Sequence, residues 1–137
     1  MEFELEDQFG NTFALRFPRP QVSVLAFGDW KGALQVEGWV RPLYERYRDR
    51  IDLRAVAVLA AVPASFHAFA RSQLRERIPY PVLLDFSGEA ARAYGYESHK
   101  ANIVVVDTAG AIVLKVAGAA SAEDLARVYR EIDRLID

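Results

Sequence analysis

The stretch NIVVVDTAGAIVLKVAG, residues 102–118, contains two short apolar runs separated by a four-residue turn. The runs at 103–106 and 112–116 are rich in valine and isoleucine, which favour β-strands. Asp107 and Gly110 delimit the turn, and both residue types are common there because they suit turn backbone geometry. A connection this short joins neighbouring strands. The stretch therefore predicts an antiparallel pair of strands.

Five segments upstream also carry strand patterns. The first two alternate apolar and polar residues on either side of DQFGN, which predicts an N-terminal β-hairpin. VSVLAF, LRAVAVLA and PVLL are short and almost entirely apolar, as strands are when both faces of their sheet are covered. In chain order the segments are 3–5, 13–17, 22–27, 53–60 and 81–84.

Apolar residues at helical spacing predict three helices between and after these strands, and Ser87 as a cap with Gly95 as a stop predicts a short fourth one. Pro42 lies inside the first pattern and predicts a kink or a later helix start. The last helix has the clearest beginning, because Ser121 and Asp124 form a near capping box. The predicted helices are about 34–48, 64–77, 88–94 and 121–136. Helices on both sides of a mixed sheet predict an α/β sandwich. Without a linker or repeat, we expect one domain over residues 1–137.

The charges of the chain are nearly balanced, with 17 Lys and Arg against 19 Asp and Glu and a net charge of −2. No field of one sign favours nucleic acid or an anionic membrane, so neither is expected as a partner. No apolar run approaches the roughly 20 residues of a membrane span. The first residues alternate apolar and acidic types, unlike a signal peptide. These features predict a soluble, cytoplasmic protein.

The order and spacing of the motifs carry a family resemblance. LLDFSGEAARAYGY (83–96), followed by the stretch 102–118, resembles the second half of the alkyl hydroperoxide reductase and thiol-specific antioxidant family, the peroxiredoxin-like branch of the thioredoxin fold. The first half agrees in its hairpin, its VSVLAF and LRAVAVLA strands and the helix that ends LYERYRDR. The resemblance implies a thioredoxin-like three-layer α/β sandwich, with a mixed central sheet, helices on both faces and an N-terminal β-hairpin.

The residues needed for thiol chemistry are missing. In that family, the loop after the first central strand and the next helix start carry the reactive cysteine. Here the window GDWKGALQVEGWV (28–40) has no Cys, Ser or Thr, and the whole chain has no cysteine. Ala101 stands where family members have a cis-proline or a supporting arginine. An engineered cysteine-free chain would explain only the first loss. Without a thiol, neither a sulfenic acid nor disulfide exchange is possible, so the resemblance implies a redox-inactive member.

Two loops that the fold would bring together remain as the candidate site. One follows the first central strand, and the other precedes the strand at 103–106. We call their residues the candidate binding face: Asp29, Trp30 and Lys31 in the first loop, and Ser98, His99, Lys100 and Ala101 in the second. Trp30 is expected either to be exposed as an anchor for a partner or to be packed under its loop.

The sequence does not favour a metal site, a phosphate-binding site or a pair of carboxylates for acid and base catalysis. The chain has only two histidines, whereas a metal site needs three or four convergent ligands, and no phosphate-binding loop is present. We therefore predict no metal, no cofactor and no catalytic residue. His67 is expected on a helix flank and Trp39 in the core. Asp29 and Glu37 are eight residues apart across a loop and helix junction, so they share no defined face for acid and base catalysis.

Two functional hypotheses remain open. The first is a redox-inactive module that binds an unknown protein partner, a second copy of itself as a homodimer, or a small ligand. The second is an atypical oxidoreductase-family antioxidant protein that acts without its own thiol and uses the cysteine of a partner. An apolar patch buried in a dimer would favour the first, and a pocket with convergent polar groups would favour ligand binding.

Overall fold

Seven β-strands and four α-helices make up the chain in the computed structural model, which describes residues 1–137. The strands are β1 Phe3–Glu6, β2 Thr12–Leu15, β3 Ser23–Gly28, β4 Asp52–Val58, β5 Val82–Asp85, β6 Asn102–Val106 and β7 Ile112–Ala117. The helices are α1 Ala33–Tyr47, α2 His67–Arg77, α3 Glu89–Ala93 and α4 Ala122–Ile136. None of these helices is both long enough and apolar enough to cross a membrane.

Five strands form one mixed sheet in the order β5-β4-β3-β6-β7. β3, β4 and β5 are parallel, whereas β6 is antiparallel to both β3 and β7. β1 and β2 pair separately as an antiparallel hairpin. The predicted antiparallel pair, β6 and β7, is thus confirmed, and the Asp107 carboxylate accepts hydrogen bonds from the turn N–H groups of Ala109 and Ala111 at 3.0 and 2.9 Å. Since β6 is antiparallel to β3, the first residues of β6 lie beside the last residues of β3.

Apolar side chains cover both faces of the sheet at its centre. On one face, α1 and α4 bury Trp39, Leu43 and Ile132 against β3 and β6. On the other face, the hairpin buries Phe3 and Leu15 together with the apolar side of α3. Strands β3 and β6 are consequently buried along their whole length. These layers confirm the three-layer α/β sandwich and the N-terminal hairpin expected from the sequence.

Helix α1 begins at Ala33 and continues through Pro42 to Tyr47, so the alternative of a later start is wrong. Proline cannot donate the helical hydrogen bond to the carbonyl four residues earlier. That carbonyl belongs to Gly38, which is exposed and therefore accessible to water. Burial of one side of the helix, centred on Trp39, supplies the stabilisation that local hydrogen bonding loses.

Helix α2 departs from the expected packing. The sequence predicts a helix at 64–77 that belongs to the α/β sandwich, yet none of the side chains of α2 is buried, and Phe69 is 63% exposed. Its contacts with the hairpin are polar, because the guanidinium groups of Arg71 and Arg75 donate to backbone carbonyls of the hairpin turn at 3.2 and 3.1 Å. His67 stacks on Phe86 with 4.0 Å between ring centroids. The helix is therefore held at the side of the sheet mainly by polar and aromatic contacts rather than by an apolar stripe.

Candidate binding face

The two loops of the candidate binding face meet at the edge where β3 ends and β6 begins. The backbone N–H of His99 donates to Asp29 Oδ2 at 2.8 Å. The ring Nδ1 of His99 lies 3.5 Å from the same oxygen. The structure therefore brings the first loop against the second, as the sequence predicts, with Asp29 and His99 in direct contact.

The Asp29 carboxylate joins three parts of this edge. Its Oδ1 accepts the backbone N–H groups of Lys31 at 3.1 Å and Gly32 at 2.8 Å, which orders the turn that leads into α1. Its Oδ2 accepts the N–H of His99 from the opposite loop. Both oxygens are thus occupied by donors of the protein itself, and Asp29 acts as a crosslink between the loops.

The environment of Asp29 favours its ionised form. Partial burial acts to raise the pKa of this carboxyl, but the backbone N–H groups of Gly32 and His99, the nearby Tyr96 hydroxyl and the charge of His99 act the other way and lower the pKa overall. A carboxylate with a lowered pKa is a weak base. Asp29 is consequently suited to hold the loops and poorly suited to remove a proton from a substrate.

Tyr96 supplies a second crosslink, which no motif in the sequence marks. Its hydroxyl accepts the backbone N–H of Asp29 at 2.8 Å and donates to the carbonyl of Lys100 at 3.0 Å. Burial raises the pKa of Tyr96 to about 12, and the charge of Asp29 adds to the effect. The phenol is therefore neutral at physiological pH and keeps the proton that it donates.

Two further residues fix the distance between the loops. The N–H of Ala101, a fully buried residue, donates to the side-chain Oε1 of Gln35 at 3.0 Å. Gly32 packs directly on the backbone of Lys100, where a Cβ atom would lie 2.7 Å from the carbonyl carbon and would overlap the carbonyl oxygen. Only glycine fits this close approach. Gly32 and Gln35 are positioning residues that no sequence motif marked.

The outer side of the face is exposed and combines large apolar side chains with charged and polar ones. Trp30 is 74% exposed, and the Nζ of Lys31 lies 5.3 Å from the centroid of its ring. Leu34, four residues further on, is 87% exposed. Ser98 and Lys100 are also exposed, and the Lys100 ammonium lies 3.8 Å from Glu97. Of the two placements expected for Trp30, the structure has the exposed one.

Comparisons with known proteins identify the fold. No protein-family model matches the chain, and no curated protein matches its sequence. Among solved structures, the exposed lipoprotein thioredoxin Etrx1 of Streptococcus pneumoniae strain TIGR4 aligns over 96% of this chain and 99% of its own, with a TM-score of 0.76 and 18% identity. The chain has a thioredoxin-like fold.

Two other thioredoxin-like structures agree. A candidate thiol:disulfide interchange protein, DsbE from Chlorobium tepidum, aligns over 100% of this chain and 94% of its own, with a TM-score of 0.73 and 20% identity. StoA from Bacillus subtilis aligns over 93% and 95%, with a TM-score of 0.63 and 18% identity. At these identities the similarity shows the thioredoxin-like fold and not an activity.

The remaining side chains considered from the sequence lie elsewhere in the thioredoxin-like fold. Trp39 is fully buried and its Nε1 donates to the carbonyl of Gly118 at 2.8 Å, which confirms its place in the core. Glu37 accepts the hydroxyl of Tyr80 at 3.3 Å and pairs with Arg41 at 3.2 Å, and it makes no pair with Asp29. No group of three or more His, Cys, Asp and Glu side chains is arranged to hold a metal ion.

Proposed function

We propose that this thioredoxin-like chain is a redox-inactive binding module, and that the candidate binding face engages a protein partner with Trp30 as its anchor. The observation that carries the proposal is the exposure of Trp30, at 74%, on a pair of loops that are crosslinked by hydrogen bonds. The chain contains no cysteine, so a binding role does not compete with thiol chemistry at this edge.

Trp30 and Leu34 form the apolar part of the proposed contact. A large aromatic side chain that is exposed in the free protein gains most from burial against a partner, and tryptophan is enriched among interface hot spots. Leu34, in the first turn of α1, is even more exposed and adds a second large apolar side chain next to the first loop. Lys31 and Lys100 supply charged groups at the rim, which is the usual composition around such an anchor.

The crosslinks below Trp30 reduce the cost of binding. Association normally loses affinity when loops must become ordered at the interface. Here Asp29 and Tyr96 already fix both loops through hydrogen bonds of 2.8 to 3.1 Å. The free protein therefore presents Trp30 from a backbone that needs no reorganisation.

The test is affinity purification from the native host with tagged parent and variant chains. Trp30→Ala and His99→Ala should lose a partner that the parent retains, whereas Phe69→Ala should retain it, because Phe69 is a similarly exposed aromatic outside the face. Thermal denaturation checks that all variants are folded. Retention of the same proteins by Trp30→Ala and His99→Ala would refute the proposal. Sedimentation of the pure protein distinguishes a second copy of the chain from a different partner.

A second candidate function is an antioxidant role through the cysteine of a partner. It is supported by the thiol-disulfide names of several similar structures and by the resemblance of residues 83–96 and 102–118 to the peroxiredoxin-like branch, which remains a proposal within the thioredoxin-like fold. The pure chain should neither consume hydrogen peroxide with a dithiol nor reduce insulin. Stimulation of peroxide removal when a thiol-containing partner is added would favour this second role.

The cellular location is part of the same proposal. The sequence predicts a cytoplasmic protein, whereas the pneumococcal thioredoxin is named an exposed lipoprotein. Fractionation of the native host decides between the two. A partner with reduced cysteines is compatible with the cytoplasm, whereas recovery outside the cytoplasm would direct the search to exported proteins.

A further inference from the structure

Strand β4 has one face that the helices leave partly open. It lies inside the sheet between β3 and β5, and parallel strands in this position are normally covered on both faces. Nevertheless Leu53, Ala55 and Ala57 on β4 are only half-buried, whereas β3 is buried throughout. Because Val56 belongs to the core on the hairpin side, these three residues lie on the opposite face, which α1 partly covers. Above Leu53 and Ala55 is a groove of about 570 Å³, which residues of α1 line and residues of α2 do not.

Helix α2 lies on this same face but toward the edge of the sheet. α1 and α2 join successive parallel strands in one direction across the sheet, from β3 to β4 and from β4 to β5, and right-handed crossovers of this kind place both helices on one face. α1 packs on β3 and β4. α2 is held by Arg71 and Arg75 to the hairpin turn, which borders the outer edge of β5, where Asp7 bridges to Leu83. The strip of β4 between the two helices therefore stays open.

The large apolar side chains of α2 are on its flank away from the hairpin. Phe69 precedes Arg71 by two residues, which is about 200° around the helix, so the two side chains lie on opposite sides. Phe66 comes three residues before Phe69 and lies on the same side as Phe69. Since Arg71 reaches the hairpin, Phe66 and Phe69 are on the side of α1, where they are 56% and 63% exposed. Two exposed rings and a half-buried strip of the sheet are thus on the same side of α2.

The two ends of α2 are held to different degrees. Just after the helix, the fully buried side chain of Gln8 donates to the carbonyls of Ile78 and Tyr80 at 3.1 and 2.7 Å, and it accepts the N–H of Val82 at 2.7 Å. The other end of the helix follows the segment 59–66, whose residues are mostly exposed. The C-terminal end of α2 is therefore fixed beside β5, whereas the N-terminal end, which carries the two rings, has no comparable buried anchor.

We propose that α2 is a strap with two positions. In the open position, which the structure shows, Arg71 holds the helix to the hairpin. In the closed position, the N-terminal end of α2 swings about the Gln8 anchor toward α1, so that Phe66 and Phe69 cover Ala55 and the rest of the open strip of β4. Closure fills the groove and removes two exposed rings from the surface. Neither ring belongs to the candidate binding face, so this inference is independent of the function proposed for that face.

Closure exchanges one set of contacts for another. It buries Phe66 and Phe69, and it gives up the hydrogen bond from Arg71 to the carbonyl of Asp7 and the stacking of His67 on Phe86. Burial of a large apolar side chain and a hydrogen bond from a charged group contribute free energies of similar size. The two positions therefore differ little in free energy, and a small change at the Arg71 contact shifts their populations.

The test measures the distance from α2 to α4, which packs on β6 and β7 beyond α1 and is fixed by its buried side chains. Because the chain has no cysteine, two introduced cysteines can be spin-labelled without competition. Ala68→Cys places one label near the moving end of α2, and Ala126→Cys places the reference label on α4; both positions are exposed. In the closed position, the distance between these labels should be shorter by about 5 Å, the spacing of one strand. Glu76→Cys with Ala126→Cys is the matched control, because Glu76 is at the anchored end of α2 and its label should not move.

Substitutions in the labelled protein then shift the two positions in known directions. Arg71→Gln should raise the fraction of the shorter distance about fivefold, as expected from the loss of one hydrogen bond. Arg77→Gln, on the exposed last turn of the same helix, should leave that fraction unchanged. Adding either Ala55→Leu, which fills the floor, or Phe66→Ser with Phe69→Ser should remove the shorter distance again. Thermal denaturation checks that each variant is folded. The proposal fails if Arg71→Gln gives no shorter distance, if it gives only a broad distribution from a released helix, or if the shorter distance persists without the two rings.

Discussion

Two exposed aromatic residues, Trp30 and Phe69, belong to regions that are attached to the fold in different ways. Trp30 lies on loops that Asp29 and Tyr96 crosslink at 2.8 to 3.1 Å, and the backbone beneath it is closely packed. Phe69 lies on α2, which has no buried side chain. Exposure alone therefore does not identify a binding residue. The two side chains differ in how firmly their backbone is held: hydrogen bonds fix the loops that carry Trp30, whereas the helix that carries Phe69 buries no side chain.

The largest effect is expected at Gly32. In Gly32→Val, the new side chain would overlap the backbone of Lys100, which cannot move without breaking the hydrogen bonds of the second loop. We expect a loss of about 3 kcal/mol in the free energy of unfolding. Gly38→Ala is the matched control, because its Cβ would have no neighbour nearer than 3.8 Å, and it should stabilise the helix by about 0.5 kcal/mol. Denaturant unfolding measures both. Similar stabilities for the two variants would show that the loops are not in close contact.

A smaller effect is expected at Asp29. Asp29→Ala removes the acceptor of three backbone N–H groups, and the variant should lose about 2 kcal/mol of stability. The amides of Lys31, Gly32 and His99 should also exchange faster with solvent. A variant as stable as the parent, with unchanged amide exchange, would mean that the carboxylate does not crosslink the loops.

The pH dependence of this contribution follows from the lowered pKa of Asp29. A carboxyl whose pKa is lower in the folded protein stabilises the fold above its unfolded pKa of about 3.9 and loses that effect as the pH falls through the folded value. The difference in melting temperature between the parent and Asp29→Asn should therefore be largest near neutral pH and should narrow below about pH 4. A difference that is constant from pH 7 to pH 3 would contradict the assigned role.

The smallest effect is expected on α2. Phe69→Ser replaces an exposed side chain on a helix without buried residues, so the change in stability should stay within about 0.5 kcal/mol. Arg71→Ala, which removes a hydrogen bond of 3.2 Å to the hairpin turn, should cost about 1 kcal/mol. Thermal unfolding of both variants provides the measurement. A large loss in Phe69→Ser would place this ring in a packed interface.

Most of the fold was predictable from the sequence because burial determines it. The strands β3 and β6 are apolar apart from their first residues, Ser23 and Asn102, and both strands are buried along their whole length, while the apolar side of α4 contacts the sheet. The packing of α2 was not predictable in this way. Its attachment depends on Arg71 and Arg75 reaching backbone carbonyls far away in the sequence, and hydrogen bonds to carbonyls leave no periodic signal.

The candidate binding face was predicted in position but not in its internal bonding. The order of β3 and β6 places Asp29 near His99, and that proximity follows from the fold alone. Tyr96, Gly32 and Gln35 were missed because each acts on the main chain of the other loop. A phenol between two backbone groups and a glycine against a carbonyl depend on three-dimensional placement, which a single sequence does not report.

The affinity of the recovered partner for Trp30→Ala, Asp29→Asn and Phe69→Ala tests the central claim most directly. If Trp30 is the anchor on a preorganised face, calorimetry should show a loss of about 2 kcal/mol for Trp30→Ala, a smaller loss for Asp29→Asn and no change for Phe69→Ala. Unchanged affinity in Trp30→Ala, or an equal loss in Phe69→Ala, would contradict the assignment of binding to the crosslinked loops.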